Sequence, residues 1–150
     1  MASEPAPNES RTDGPGRRHH RPADGRDLPV LAFDGDCGFC QRTIDTLTAR
    51  ARPRMSAVPW QSLPDAVTGP HVERLDHEVL VFRGAAVVCG GADAIAAYVR
   101  SAPARRYRAA AALLTLPGVR FCARRVYAWV SANRLRMPGS TAACAVPRRD

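Results

Sequence analysis

The sequence predicts an α/β domain with a four-stranded central sheet, helices flanking it, and extra helices at the C-terminal end. Three observations predict it. Short apolar runs and one amphipathic segment alternate as β-α-β and are followed by a β-hairpin. Past the hairpin only helical periodicity remains. The junction of the first strand and first helix carries two cysteines in CxxC spacing, Cys37 and Cys40.

The elements follow in order. Residues 1–27 are rich in Pro, Gly, Ser, Arg and acids, with Met1 the only larger apolar residue. Such a stretch cannot offset its own ordering entropy, so a disordered tail is expected there and a domain over residues 28–147. His19-His20 sit among Arg17, Arg18 and Arg21, whose charge opposes a metal cation. Pro29 to Phe33 is a short apolar run stopped at Asp34-Gly35-Asp36, a buried strand ended by a turn. From Gln41 to Arg52 an amphipathic helix is expected, with Ile44, Leu47 and Ala51 at helical spacing and Pro53 closing it. Met55 to Trp60 reads as a second strand, and residues 61–77 as loop or short helix. Glu78 to Phe82 and Ala85 to Cys89, joined by Arg83-Gly84, read as the hairpin. Ala92 to Val99 is helical, as are Arg105 to Leu116 and Val119 to Leu135, with a break at Pro117-Gly118. In the last of these, Val119, Cys122, Val126, Trp129, Val130 and Asn133 share one stripe, expected to pack inward with Asn133 hydrogen-bonded. This layout, with a CxxC where the first helix begins, is that of a thioredoxin-like domain.

Composition narrows the classes. Five cysteines in 150 residues are too few for a disulfide-built scaffold, and the odd number forbids complete internal pairing. No apolar run approaches the roughly 18 residues needed to span a bilayer, and the N-terminus has no apolar signal core. A cytoplasmic location is therefore expected. All 22 basic residues are Arg, and the net charge is +8. Residues 1–28 are neutral, 29–99 slightly acidic, and 100–150 hold eleven Arg against Asp150 alone. That last third is either a solvated helical face or a basic surface for an acidic protein, a peripheral membrane contact or nucleic acid. No nucleic-acid recognition motif accompanies it, which argues against the last.

Both sulfurs of the CxxC fall near a helix N-terminus, where unpaired N–H groups and the helix dipole favour negative charge and lower a thiol pKa. Cys37, expected further out on the turn, is the candidate nucleophile, and Cys40, one turn in, the resolving thiol of an exchange through a mixed disulfide. Gly38 keeps the approach open. Asp34 and Asp36 oppose a thiolate. Asp34 is a candidate proton carrier for Cys40, although Asp-Gly-Asp is also ordinary turn chemistry. Phe39, Trp60 and Gln61 are candidate substrate contacts, with a core position the competing reading for Trp60. The exchange needs no organic cofactor and no metal. It needs a disulfide-bearing protein or small-molecule disulfide as partner and an upstream thiol reductant. Structural zinc is the competing reading of a CxxC, but Cys89, Cys122 and Cys144 are single and scattered, and His71 and His77 form no obvious pair. Cys89 and Cys122 lie on apolar patterns and are expected to be buried. Cys144, in the tail, has either a packing role or a surface disulfide. Asp93 is expected to cap the helix after Gly91.

The run Phe33-Asp34-Gly35-Asp36-Cys37-Gly38-Phe39-Cys40 resembles the signature of the DCC family of thiol-disulfide oxidoreductases, named for its Asp-Cys-Cys pattern. Val58-Pro59-Trp60-Gln61, Gly90 to Ile95, and Tyr127 to Arg134 with Pro138-Gly139 and Cys144 resemble further blocks of that family. The resemblance implies a thioredoxin-like fold and disulfide reductase activity carried by Cys37 and Cys40. Thioredoxins proper carry a cis-proline just before the hairpin and a Trp before the first cysteine. Here Leu75-Asp76-His77-Glu78 holds no Pro, and Asp36 precedes Cys37. Substrate is therefore expected to be held differently.

Overall fold

The computed structural model describes residues 28–137. The tail expected at 1–27, the last ten residues of the expected 28–147 domain, and Cys144 lie outside the described residues. Strand β1 (Val30–Phe33) runs parallel to β2 (Ser56–Pro59) and antiparallel to β3 (Leu80–Arg83). Strand β3 pairs antiparallel with β4 (Ala86–Gly90), giving the order β2-β1-β3-β4. Helix α1 (Gly38–Ala51) links the two parallel strands. Short helices α2 (Asp65–Thr68) and α3 (Val72–Leu75), with flanking 3-10 turns, lead to β3. Helices α4 (Gly91–Arg100), α5 (Arg105–Leu114) and α6 (Pro117–Asn133) follow β4. This is a thioredoxin-like sheet with its helices plus an added C-terminal helical pair.

The two central strands are apolar except for the exposed Arg83 that ends β3, because both their faces are covered. Leu31, Phe33 and Val81 point to one side and pack with Ile44 of α1 and Ala94 and Tyr98 of α4. Ala32, Leu80 and Phe82 alternate to the other side and pack with Trp60 and Leu75. Tyr98 also joins the helices, its hydroxyl 2.8 Å from Thr48 Oγ1. Helix α1 ends with Arg52 in the left-handed region (φ 49°), its N–H bonded to the Thr48 carbonyl at 3.0 Å, just before Pro53.

Several boundaries move from their expected places. Strand β3 starts at Leu80 rather than Glu78, because Glu78 is held by Arg74 one turn back, with Nη2 to Oε1 at 2.7 Å. Strand β4 starts at Ala86, since Gly84 (φ 58°) and Ala85 both belong to the turn. Pro117-Gly118 is not a break but the first turn of α6, where a proline forfeits no hydrogen bond.

The larger correction concerns α6. Its expected inward stripe is not covered: Val119, Val126, Trp129 and Cys122 are all exposed. The helix is the outermost layer. It docks through Tyr127, Ser131 and Arg134 and through Arg120 and Arg124, all to one side of that stripe, and Val119, Val126 and Val130 of the stripe face an open groove rather than a packed partner. Cys122 is thus not a core thiol, and Cys89 is only half-buried. Asn133 does meet its bond locally, donating from Nδ2 to the Trp129 carbonyl at 2.7 Å.

Candidate active site

Strand β1 delivers the chain into the turn Asp34-Gly35-Asp36, and α1 begins immediately after it. The turn is closed by its own first side chain, Asp34 Oδ1 accepting from the Asp36 N–H at 3.0 Å. Gln61, just past β2, clamps it from the neighbouring strand. Its Oε1 accepts from Gly35 N–H at 3.2 Å, and its Nε2 donates to Asp34 Oδ1 at 3.0 Å and Asp36 Oδ2 at 3.3 Å. Gly35 is required by this approach, because a Cβ there would stand 2.7 Å from Pro59 Cβ.

Cys37 is the N-cap of α1. Its sulfur folds back over the first turn and accepts from the Cys40 N–H at 3.3 Å, while its carbonyl accepts from Gln41 N–H at 3.0 Å. The capping position buries it completely, at 0 % exposure. Cys40, one turn further, is half-buried and opens toward α6. The order of exposure expected from the turn is therefore reversed: the first cysteine faces the protein and the second faces the outside.

Arg134 completes the centre. It begins the 3-10 turn after α6, reaches Asp34 Oδ2 with Nη1 at 3.9 Å, and donates from Nη2 to the Asp76 carbonyl. The Cys40 thiol is held below its ordinary pKa, first by the hydrogen bond with the Cys37 sulfur. Burial opposes this. The Arg134 charge and hydrogen bond lower the thiol further, and the Asp34 charge raises it. Tyr127, two turns earlier on α6, is pushed up to about 12, chiefly by burial. Its hydroxyl accepts from the Val79 N–H at 3.0 Å.

Of the residues singled out from sequence, Asp34, Cys37, Cys40 and Gln61 meet at this turn, and Phe39 lines the groove beside it. Gln61 acts on the turn rather than facing the groove. Trp60 does not belong to the site: it is 7 % exposed and packs with Leu75, Leu80 and Phe82 on the opposite face of the sheet. Asp93 does not cap α4. It holds α6 instead, taking Arg120 Nε on Oδ1 at 2.8 Å and Arg124 on Oδ2, contacts that bring its carboxyl down to about 2, Arg120 foremost. Cys89 is raised above the ordinary thiol value by burial first and then by Asp93. From sequence, Arg134 stands with Tyr127, Trp129 and Asn133 as a candidate for binding near the CxxC, with packing the expected role of that segment; the structure puts Arg134 beside Cys40 and Asp34. Among the described residues, no group of three His, Cys, Asp or Glu side chains converges to hold a metal ion, and His71 lies in a tilted ring contact with Phe82. No helix among them is long and apolar enough to cross a membrane.

The family model for DCC1-like thiol-disulfide oxidoreductase matches residues 31–140, which include the turn, both cysteines and Arg134. No curated protein and no solved structure gives a significant match.

Proposed function

The chain belongs to the DCC1-like thiol-disulfide oxidoreductase family, and on that premise we propose that it is a dithiol–disulfide oxidoreductase of the reductase type. The observation that carries this is the contact of Cys37 Sγ with the Cys40 N–H at the head of α1, with Arg134 beside Cys40. Two thiols share a helix N-terminus, one of them is favoured as thiolate, and they are close enough in sequence to close a small disulfide. One thiol attacks a substrate disulfide and the other resolves the mixed disulfide. The Cys37–Cys40 disulfide so formed is returned to the dithiol by an upstream thiol reductant in a reducing, cytoplasmic setting. Asp34 is proposed to pass a proton to or from Cys40. The thiols carry the electrons, so no organic cofactor is required.

The test is reduction of insulin and of small disulfides by the wild type, Cys37→Ser, Cys40→Ser and the double variant. Turnover by the wild type alone is expected. Wild-type rates no higher than those of the double variant, across several reductants and substrates, would reject the reading.

A second reading is favoured by α6. Phe121 and Trp129, each 61 % exposed, share an outer face with Arg125, whose guanidinium lies 5.3 Å from the Phe121 ring centre. Exposed aromatics beside arginines fit a basic module that docks on an anionic membrane or acidic protein, with the CxxC as a redox switch. Salt-sensitive binding that survives loss of both active-site cysteines would favour this second reading over the first.

A further inference from the structure

Between α1, the start of β3 and α6 runs a groove of about 520 Å³, within the range of small-molecule sites. Phe39, Ile44 and Ile95 form one wall, and Val119, Val126 and Val130 of α6 the other. Cys40 opens into it, whereas Cys37 has no exposed surface. The charged groups at its ends are already engaged, Asp34 by Arg134 and Glu78 by Arg74.

The segment just before β3, residues 76–79, borders the groove beside the CxxC. An extended peptide laid there as an added strand would need the main-chain groups of that segment. Helix α6 uses them instead. Arg134 donates to the Asp76 carbonyl, Ser131 Oγ to the His77 carbonyl, and the Val79 N–H is bonded to the Tyr127 hydroxyl. The Val79 carbonyl is taken by Gly91 N–H at 2.9 Å. What the groove has left to offer is largely apolar contact and two thiols, Cys40 beside its redox partner Cys37 and the lone Cys122 on α6.

We propose that the groove takes a low-molecular-weight apolar disulfide, not an extended protein segment, and that Cys40 is the thiol that attacks it. This rests on the oxidoreductase reading above and names its substrate class. The Cys40 thiolate attacks one sulfur of RS–SR, forming Cys40–S–S–R and releasing one thiolate RS⁻. Cys37, deprotonated, then attacks Cys40 Sγ, forming the Cys37–Cys40 disulfide and releasing the second RS⁻. The two protons lost by the cysteines leave on two RSH. Two thiols of an upstream reductant restore the pair and become a disulfide themselves.

The experiment uses the full chain in its dithiol form with diphenyl disulfide, oxidised glutathione and insulin. Each rate is divided by that of free dithiothreitol with the same disulfide. Diphenyl disulfide is expected to give a normalised kcat/KM about tenfold or more above the other two, the scale on which an apolar pocket discriminates. Val126→Glu, at an exposed position of the groove wall, is expected to erase that preference, and Val126→Thr to reduce it. In Cys37→Ser, mass spectrometry is expected to find the phenylthio group on Cys40. An adduct that instead accumulates on Cys37 in Cys40→Ser, with none on Cys40 in Cys37→Ser, overturns the order of attack. Preference for insulin or glutathione disulfide, unmoved by Val126→Glu, overturns the substrate class while the oxidoreductase reading stands. Turnover of none of the three by the wild type overturns both.

Discussion

Cys40 lies between an arginine and an aspartate, whose opposed charges adjust a thiol that the Cys37 hydrogen bond lowers first and burial raises. Replacing Arg134 by Gln removes a positive charge and a donor, so the thiol pKa is expected to rise and its alkylation by iodoacetamide at neutral pH to slow. Arg134→Lys keeps the charge and is expected to recover part of the rate. The same shift links to stability. A thiol lowered from 9.0 in the folded state contributes stability above pH 9, and that contribution is lost as pH falls through the folded value. Arg134→Gln is expected to flatten this slope in denaturant titrations at a series of pH values. Asp34→Asn separates two roles of its carboxylate. Loss of a like charge should speed alkylation of Cys40, whereas loss of a proton carrier should slow turnover, so opposite changes in the two measurements are expected. The pair and its turn were legible from sequence because CxxC after a strand has few meanings. Which thiol faces outward was not, because that depends on Cys37 taking the cap of α1 and on what α6 leaves open.

Helix α6 fastens to the domain by contacts on one side only. Tyr127→Phe keeps the ring but strands the Val79 N–H, which is expected to cost about 1–3 kcal/mol in urea unfolding. Asp93→Asn releases Arg120 and Arg124 and is expected to lower Tm by a few degrees at neutral pH. With the carboxyl at about 2 against an ordinary 3.8, the wild type's advantage is present above pH 3.8 and disappears as pH falls toward 2. At the other end of the site, Gly35→Ala forces the turn off Pro59, and slower alkylation of Cys40 is expected along with reduced stability. Strands and helices were readable here from period and punctuation. The docking of α6 was misread because its most regular apolar stripe is not the side that packs; Tyr127, Ser131 and Arg134, polar-tipped and lying off that stripe, make the contact.

At the scale of the whole molecule, acidic side chains of the sheet half meet arginines of the helical third at two places seen among the described residues. Asp93 with Arg120 and Arg124, and Asp34 with Arg134, are where the two halves are joined by charge. The block structure of the charge was visible in sequence, but these pairings were not, since they connect residues far apart in the chain. Their members are also made at different times. The CxxC is synthesised early, and Arg134 emerges from the ribosome only after every strand of the sheet. The Arg134 charge and hydrogen bond that help lower the Cys40 thiol are therefore the last of its neighbours to be synthesised. A chain that ends before Arg134 is therefore expected to hold a less acidic Cys40 thiol than the full chain, read as slower alkylation at neutral pH.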